Sequence, residues 1–270
     1  MHNELITIGP VTIYGYGLMI GIGVFLAMIV GDKRAKGRGL NGELVYGLTV
    51  SAVVFGFLAA KVLFIITQWK DFIADPLAFI STSGFVVYGG LIGGIATAVI
   101  YCSIKKQNGI DYLDLMVPSV ALAQGMGRIG CFLAGCCYGK PTDLPIGITF
   151  SHSAFAPNNV SLMPTQLIMS AGDFIIAAIL LAFSRRYRKR GQVTLLWLIL
   201  YSIGRFFIEF LRGDVARGSV GVLSTSQFIA VIMTPLCILL YIFAVPLLEK
   251  GRTAKQDNEE GSESEEGTDE

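Results

Sequence analysis

Seven long apolar runs divide this chain, and its polar residues gather between them. The runs lie near Val11–Val30, Leu44–Ile66, Phe85–Ile104, Leu113–Leu133, Pro164–Phe183, Thr194–Leu211 and Ser226–Leu248. A membrane-crossing helix needs about 20 apolar residues, so each run predicts one span. The polar segments alternate in charge. Lys33, Arg34, Lys36 and Arg38 follow the first run, and Lys105 and Lys106 follow the third. Arg185, Arg186, Arg188, Lys189 and Arg190 follow the fifth, and Lys250, Arg252 and Lys255 the seventh. The other segments hold little beyond Lys70, Lys140 and Arg217. Basic loops stay in the cytoplasm. The prediction is therefore an all-α membrane protein with seven transmembrane helices, its N-terminus outside and its C-terminus cytoplasmic.

Composition agrees. Of 270 residues, 53% are hydrophobic and 15% charged, where soluble domains carry about 25% charged residues. The charges are segregated into loops, so the net charge of +1 points to no partner, and no nucleic acid is expected. Residues 1–250 read as one membrane domain, and the acidic residues 251–270 as a disordered cytoplasmic tail. The first apolar run is too long for a signal peptide, and its basic residues follow it. The outer segment Ala134–Met163 mixes Gly, Pro and Asn around a short apolar run, which predicts a partly ordered cap over the membrane face.

Ionisable residues within spans carry function by default, because burying them is costly. Arg128 stands in Gly125-Met-Gly-Arg-Ile-Gly-Cys-Phe-Leu-Ala-Gly-Cys-Cys-Tyr-Gly-Lys140, where it is a candidate for holding a lipid headgroup anion. Tyr201, Arg205, Glu209 and Arg212 are spaced to share one helical face. That face is either an ion pair locking two helices or an anion pocket held in place by its own carboxylate. Tyr88, Gly89 and Gly90 open the third span. The glycines leave room for a ligand or for a close-packed helix, and Tyr88 hydrogen-bonds a headgroup or anchors at the interface. Lys61 and Asp173 read as structural, snorkelling or paired with each other. For Cys131, Cys136 and Cys137 the plain reading is small-residue packing, with a disulfide as the alternative on an oxidising outer face. A structural metal wants four ligands, and Cys102 and Cys237 belong to other helices, so no metal and no cofactor is expected.

Three of these stretches, taken in order, resemble the prolipoprotein diacylglyceryl transferase family. They are Tyr88-Gly-Gly-Leu-Ile-Gly93, Gly127-Arg-Ile-Gly130 and Arg205-Phe-Phe-Ile-Glu-Phe-Leu-Arg212. Tyr16-Gly-Leu-Met19, Pro164-Thr-Gln-Leu167 and Ser226-Gln227 support them. The resemblance implies transfer of the diacylglyceryl group of phosphatidylglycerol to the lipobox cysteine of a preprolipoprotein, in the bacterial inner membrane. It implies that Arg128 binds the phospholipid, that Arg205 is a second essential arginine positioned by Glu209, and that Tyr16 and Tyr201 lie near the lipid. Tyr88 stands where many members have histidine, and Cys131-Phe-Leu-Ala-Gly-Cys136 replaces a stretch of asparagines and a carboxylate. Gln166-Leu-Ile-Met169 replaces Gln-Leu-Tyr-Glu. Tyr88 is then the candidate base, although a phenol is neutral at pH 7. The alternatives are a divergent lipid-binding protein or transferase with another acceptor, and a transporter.

Overall fold

The computed structural model describes residues 4–8, 11–77, 84–186, 189–214 and 219–266. Arg188, Arg217 and residues 267–270 lie outside the described residues. The helices are α1 (Gly15–Lys36), α2 (Gly42–Thr67), α3 (Trp69–Ala74), α4 (Val87–Ile104), α5 (Gly109–Ala134), α6 (Thr165–Phe183), α7 (Gln192–Ile208) and α8 (Thr225–Glu266). A 3-10 turn, Glu209–Leu211, extends α7. Three antiparallel pairs complete the fold: β1 (Glu4–Ile8) with β2 (Val11–Tyr14), β3 (Ile148–Thr149) with β4 (Ser161–Leu162), and β5 (Ser219–Val220) with β6 (Leu223–Ser224).

Among the described residues, six helices are long and apolar enough to cross a membrane: α1, α2, α5, α6, α7 with its 3-10 turn, and α8 as far as Pro246. Large apolar side chains on them point outward, Phe207 and Phe243 each 64% exposed, as suits a hydrocarbon solvent. The expected third span is the exception. Its first two residues are not helical: Val86 is extended, and its N–H donates to the Ala60 carbonyl at 3.1 Å. The apolar helix α4 has 18 residues, fewer than any of those six. At the other end of the chain, α8 continues through the acidic segment to Glu266.

The chain folds as two units, residues 28–112 and residues 1–27 with 113–270. In the first unit α2 and α4 pack backbone to backbone. A Cβ built on Gly89 would stand 2.5 Å from the Ala59 carbonyl oxygen and 2.9 Å from Ala60 Cα. Small-residue packing is therefore what Gly89 does here. Lys61 donates to the Gly84 carbonyl at 3.5 Å and sits over the Phe64 and Phe85 rings.

In the second unit the core lies where α5, α6 and α7 meet, around Val117, Ala121, Ala177, Leu180 and Val193. Asp114 starts α7 from a distance. Its carboxylate accepts from the Gly191 and Thr194 N–H groups at 2.7 and 2.8 Å, and from the Thr194 hydroxyl at 2.6 Å. These are the donors a helix N-terminus leaves without partners. The expected cap has its own small core of Phe150, Ala156 and Leu162, packed on Phe132, Tyr138 and Ile148.

Candidate active site

The shared face proposed for Tyr201, Arg205, Glu209 and Arg212 breaks at its last member. The helix ends at Ile208, tightens to a 3-10 turn, and leaves Arg212 extended at φ −75°, ψ 142°. There Arg212 pairs with Gly139 in a β-bridge. Its guanidinium turns to Asp214, with Nε donating to Oδ1 at 2.9 Å and Nη2 to Oδ2 at 2.6 Å. Asp214 was not singled out from the sequence, since a carboxylate two residues after an arginine carries no periodic signal.

Arg205 and Glu209 keep their expected relation. They form a buried ion pair at 2.8 Å, and Arg205 Nη2 also donates to Ser226 Oγ at 2.8 Å. Arg205 Nη1 is buried without a hydrogen-bond partner. A cavity of about 280 Å³ opens beside it, lined by Asp173, Tyr201, Arg205 and the apolar side chains of α6 and α7. Tyr201 stacks on Trp197 at 5.9 Å. Asp173, read from sequence as structural, is buried at the cavity wall with Oδ2 unpartnered.

Arg128 projects from α5 towards the same region. It lies within electrostatic reach of Tyr201, Asp173, Cys131 and Cys137, and of Arg205. No hydrogen bond or ion pair ties its guanidinium to any described residue. Tyr16 joins them from α1. It packs on Gly130, where an added Cβ would meet its ring at 3.1 Å, and it lies within electrostatic reach of Arg128 and the three cysteines. Tyr88 is half exposed at the first turn of α4, in the other unit.

The cysteines meet through a helix cap. At the end of α5 Gly135 turns left-handed at φ 75°. The Cys136 N–H then donates back to the Cys131 carbonyl and the Gly135 N–H to that of Phe132, both at 3.1 Å, the Schellman arrangement. This folds Cys136 over Cys131. Cys137 is itself left-handed at φ 60°, which costs a non-glycine residue about 1–2 kcal/mol. All three sulfur atoms lie within 4.8 Å of one another.

The loop is stitched to both neighbouring motifs. Thr165 Oγ1 and Gln166 Nε2 donate to the Cys137 and Cys136 carbonyls, each at 2.8 Å. The Lys140 N–H bonds Leu211 O at 2.9 Å and the Gly213 N–H bonds Tyr138 O at 3.1 Å. Hydrogen bonds from Cys131 and Cys136, then the Arg212 guanidinium, hold the Cys137 thiol well below its ordinary pKa. Hydrogen bonding with Cys131 and Cys137, and then burial, push Cys136 far above its own.

Three stretches far apart in sequence, 128–140, 164–166 and 205–214, thus form one constellation of two anion-ready arginines, a thiol cluster and an apolar cavity. The family model described as prolipoprotein diacylglyceryl transferase matches residues 3–243. The chain belongs to this family. A phosphatidylglycerol–prolipoprotein diacylglyceryl transferase of Clostridium tetani is 49% identical over 231 residues, 85% of this chain and 92% of that protein. A second, from Clostridium perfringens, is 47% identical over 232 residues, 85% of this chain and 90% of the relative. One from Staphylococcus carnosus is 35% identical over 214 residues, 77% and 78% of the two chains. For this family member, Arg128, Arg205 and Tyr16 fall within one unit.

Proposed function

We propose that this protein transfers the diacylglyceryl group of phosphatidylglycerol to the lipobox cysteine thiol of preprolipoproteins, the first step of lipoprotein maturation. The observation that carries the reading is a guanidinium at the cavity wall, Arg205 with a buried donor lacking a partner, and a second, Arg128, within electrostatic reach of it and in no ion pair among the described residues. Two cations facing each other repel, and a phosphodiester between them turns repulsion into two charge-assisted contacts. The 280 Å³ cavity is headgroup-sized, with apolar walls for the glyceryl end.

In the reaction the acceptor thiol loses its proton and its sulfur attacks the glyceryl carbon that bears the phosphate. The carbon–oxygen bond breaks, and its electron pair leaves on glycerol phosphate. Arg128, through its planar fork, and Arg205, through Nη1, stabilise the charge gathering on the leaving oxygen, where preorganised donors contribute most. Glu209 holds Arg205 in place. Tyr16 and Tyr201 flank the lipid. Arg212, bound by Asp214, orders the loop that carries the cysteines.

The reading includes seven spans, with Tyr88–Ile104 as the shortest, the N-terminus outside, and the site in the outer half of the bacterial inner membrane. Signal peptides of preprolipoproteins enter from the bilayer. The acidic residues 251–270 form a cytoplasmic tail that takes no part in transfer.

The test is rescue of a strain depleted of its own diacylglyceryl transferase, together with release of glycerol phosphate from phosphatidylglycerol vesicles given a lipobox peptide. Growth and stoichiometric release are expected. A well-expressed protein that gives neither would remove the proposal.

A further inference from the structure

We propose that Cys131, Cys136 and Cys137 hold a zinc ion whose open fourth position takes the sulfur of the acceptor cysteine, a proposal that rests on the transfer reading above. The sequence argues against a metal because four cysteines do not converge. The structure shows that three do, with sulfurs within 4.8 Å of one another. Tetrahedral zinc with Zn–S bonds of about 2.3 Å sets its thiolates about 3.8 Å apart, so closing on the ion takes side-chain movements of about 1 Å. Three protein ligands and a vacant position describe a catalytic zinc, whereas a structural zinc has four.

The surroundings suit that ion. The two loop ligands are held through their carbonyls by Thr165 and Gln166, and Cys131 is fixed on α5. Divalent zinc with three thiolates carries one negative charge. Arg128 and Arg212 both lie within electrostatic reach of the thiols. Arg128, the arginine assigned to the phosphate, thus lies within electrostatic reach of two of the three ligands.

A resting hydroxide on the zinc accepts the proton of the incoming thiol and leaves as water, and the acceptor binds as a thiolate. Its sulfur lone pair attacks the glyceryl carbon while the carbon–oxygen electron pair departs on glycerol phosphate. The thioether product is a weak ligand and dissociates. Water then returns to the zinc and releases a proton. No electrons are gained or lost overall. An ordinary thiol with a pKa of about 8.5 is only about 3% ionised at pH 7, and coordination deprotonates it outright.

The full chain, purified in mild detergent under reducing conditions, should contain about one zinc per molecule. Cys136→Ser and Cys137→Ser should lose the metal, while Cys237→Ser should keep it. Cobalt exchanged into the parent protein should show thiolate charge-transfer and tetrahedral ligand-field bands. A lipobox peptide should shift those bands, and the same peptide with serine for cysteine should not. This readout needs no variant to fold.

Removing the metal should lower transfer at pH 7 by roughly tenfold or more and make the remaining rate rise with pH as the free thiol ionises. Metal-free, reduced protein with full transfer would overturn the zinc proposal and leave the transferase reading standing. So would a disulfide among the three cysteines in active protein, or a cobalt spectrum indifferent to the cysteine peptide. Parent protein that binds zinc yet releases no glycerol phosphate would overturn the transfer reading and, with it, the substrate position on the metal.

Discussion

Glycines line both the α2–α4 pair and the α6–α7 pair, and the two pairs use them in opposite ways. Between α2 and α4 the space above Gly56, Gly89 and Gly93 is closed by backbone of the facing helix. A Cβ on Gly56 would meet Gly90 O at 3.3 Å, and one on Gly93 would meet Phe55 O at 3.1 Å. The hydroxyls of Thr49 and Thr97 bond carbonyls of their own helices, each at 2.7 Å. Between α6 and α7, Gly172 and Gly204 have nothing within 4 Å, and Asp173 and Arg205 share their cavity. A glycine in an apolar helix thus marks either close packing or vacancy, and only the polar residue beside it tells which.

The largest expected effect comes from the ion pair on the open side. Arg205→Ala leaves Glu209 buried without its partner, which costs about 3–5 kcal/mol and abolishes transfer. Thermal unfolding in detergent measures the first effect and glycerol phosphate release the second. The double variant Arg205→Ala/Glu209→Ala should recover most of the stability and none of the activity. Recovered activity would reduce the pair to a structural lock.

Gly89→Ala comes next. The added methyl collides with the Ala59 carbonyl and Ala60 Cα, and forcing α2 and α4 apart should cost about 1–3 kcal/mol. Gly204→Ala should have the opposite sign. It meets only empty space, and the gain in helix propensity is about 0.5–1 kcal/mol. A larger substitution, Gly204→Leu, should fill the cavity and raise the KM for phosphatidylglycerol. Equal stability changes for the two alanine variants would erase the contrast between the pairs.

The smallest effect on stability belongs to Arg128. With no ion pair among the described residues to lose, Arg128→Lys should unfold within about 0.5 kcal/mol of the parent. Its transfer should still fall at least about tenfold, because an ammonium cannot reproduce the two parallel bonds of the guanidinium. If activity fell only in proportion to folded protein, Arg128 would leave the active site.

Much of the membrane architecture is legible along the chain because it depends on local periods. Apolar runs of sufficient length, basic clusters between them, and glycines just past helix ends at Gly39 and Gly135 each act within a turn or two of backbone. The motifs carrying Arg128, Arg205 and Glu209 were legible for the same reason, since a buried ionisable residue in an apolar run stands out by composition alone. What the tertiary structure decided depends on partners distant in sequence. At the late start of α4, the extended Val86 bonds Ala60. The withdrawal of Arg212 from the shared helical face comes from the end of its helix, a bridge to Gly139 and the carboxylate of Asp214. Asp114 serves a helix start 77 positions away, and Gln166 holds a loop 30 positions away. The three thiols converge only because a left-handed glycine and these distant donors fold the loop back on α5. A backbone hydrogen bond across such separations leaves no period in the sequence, so tertiary structure alone brought three small residues together as the proposed zinc site.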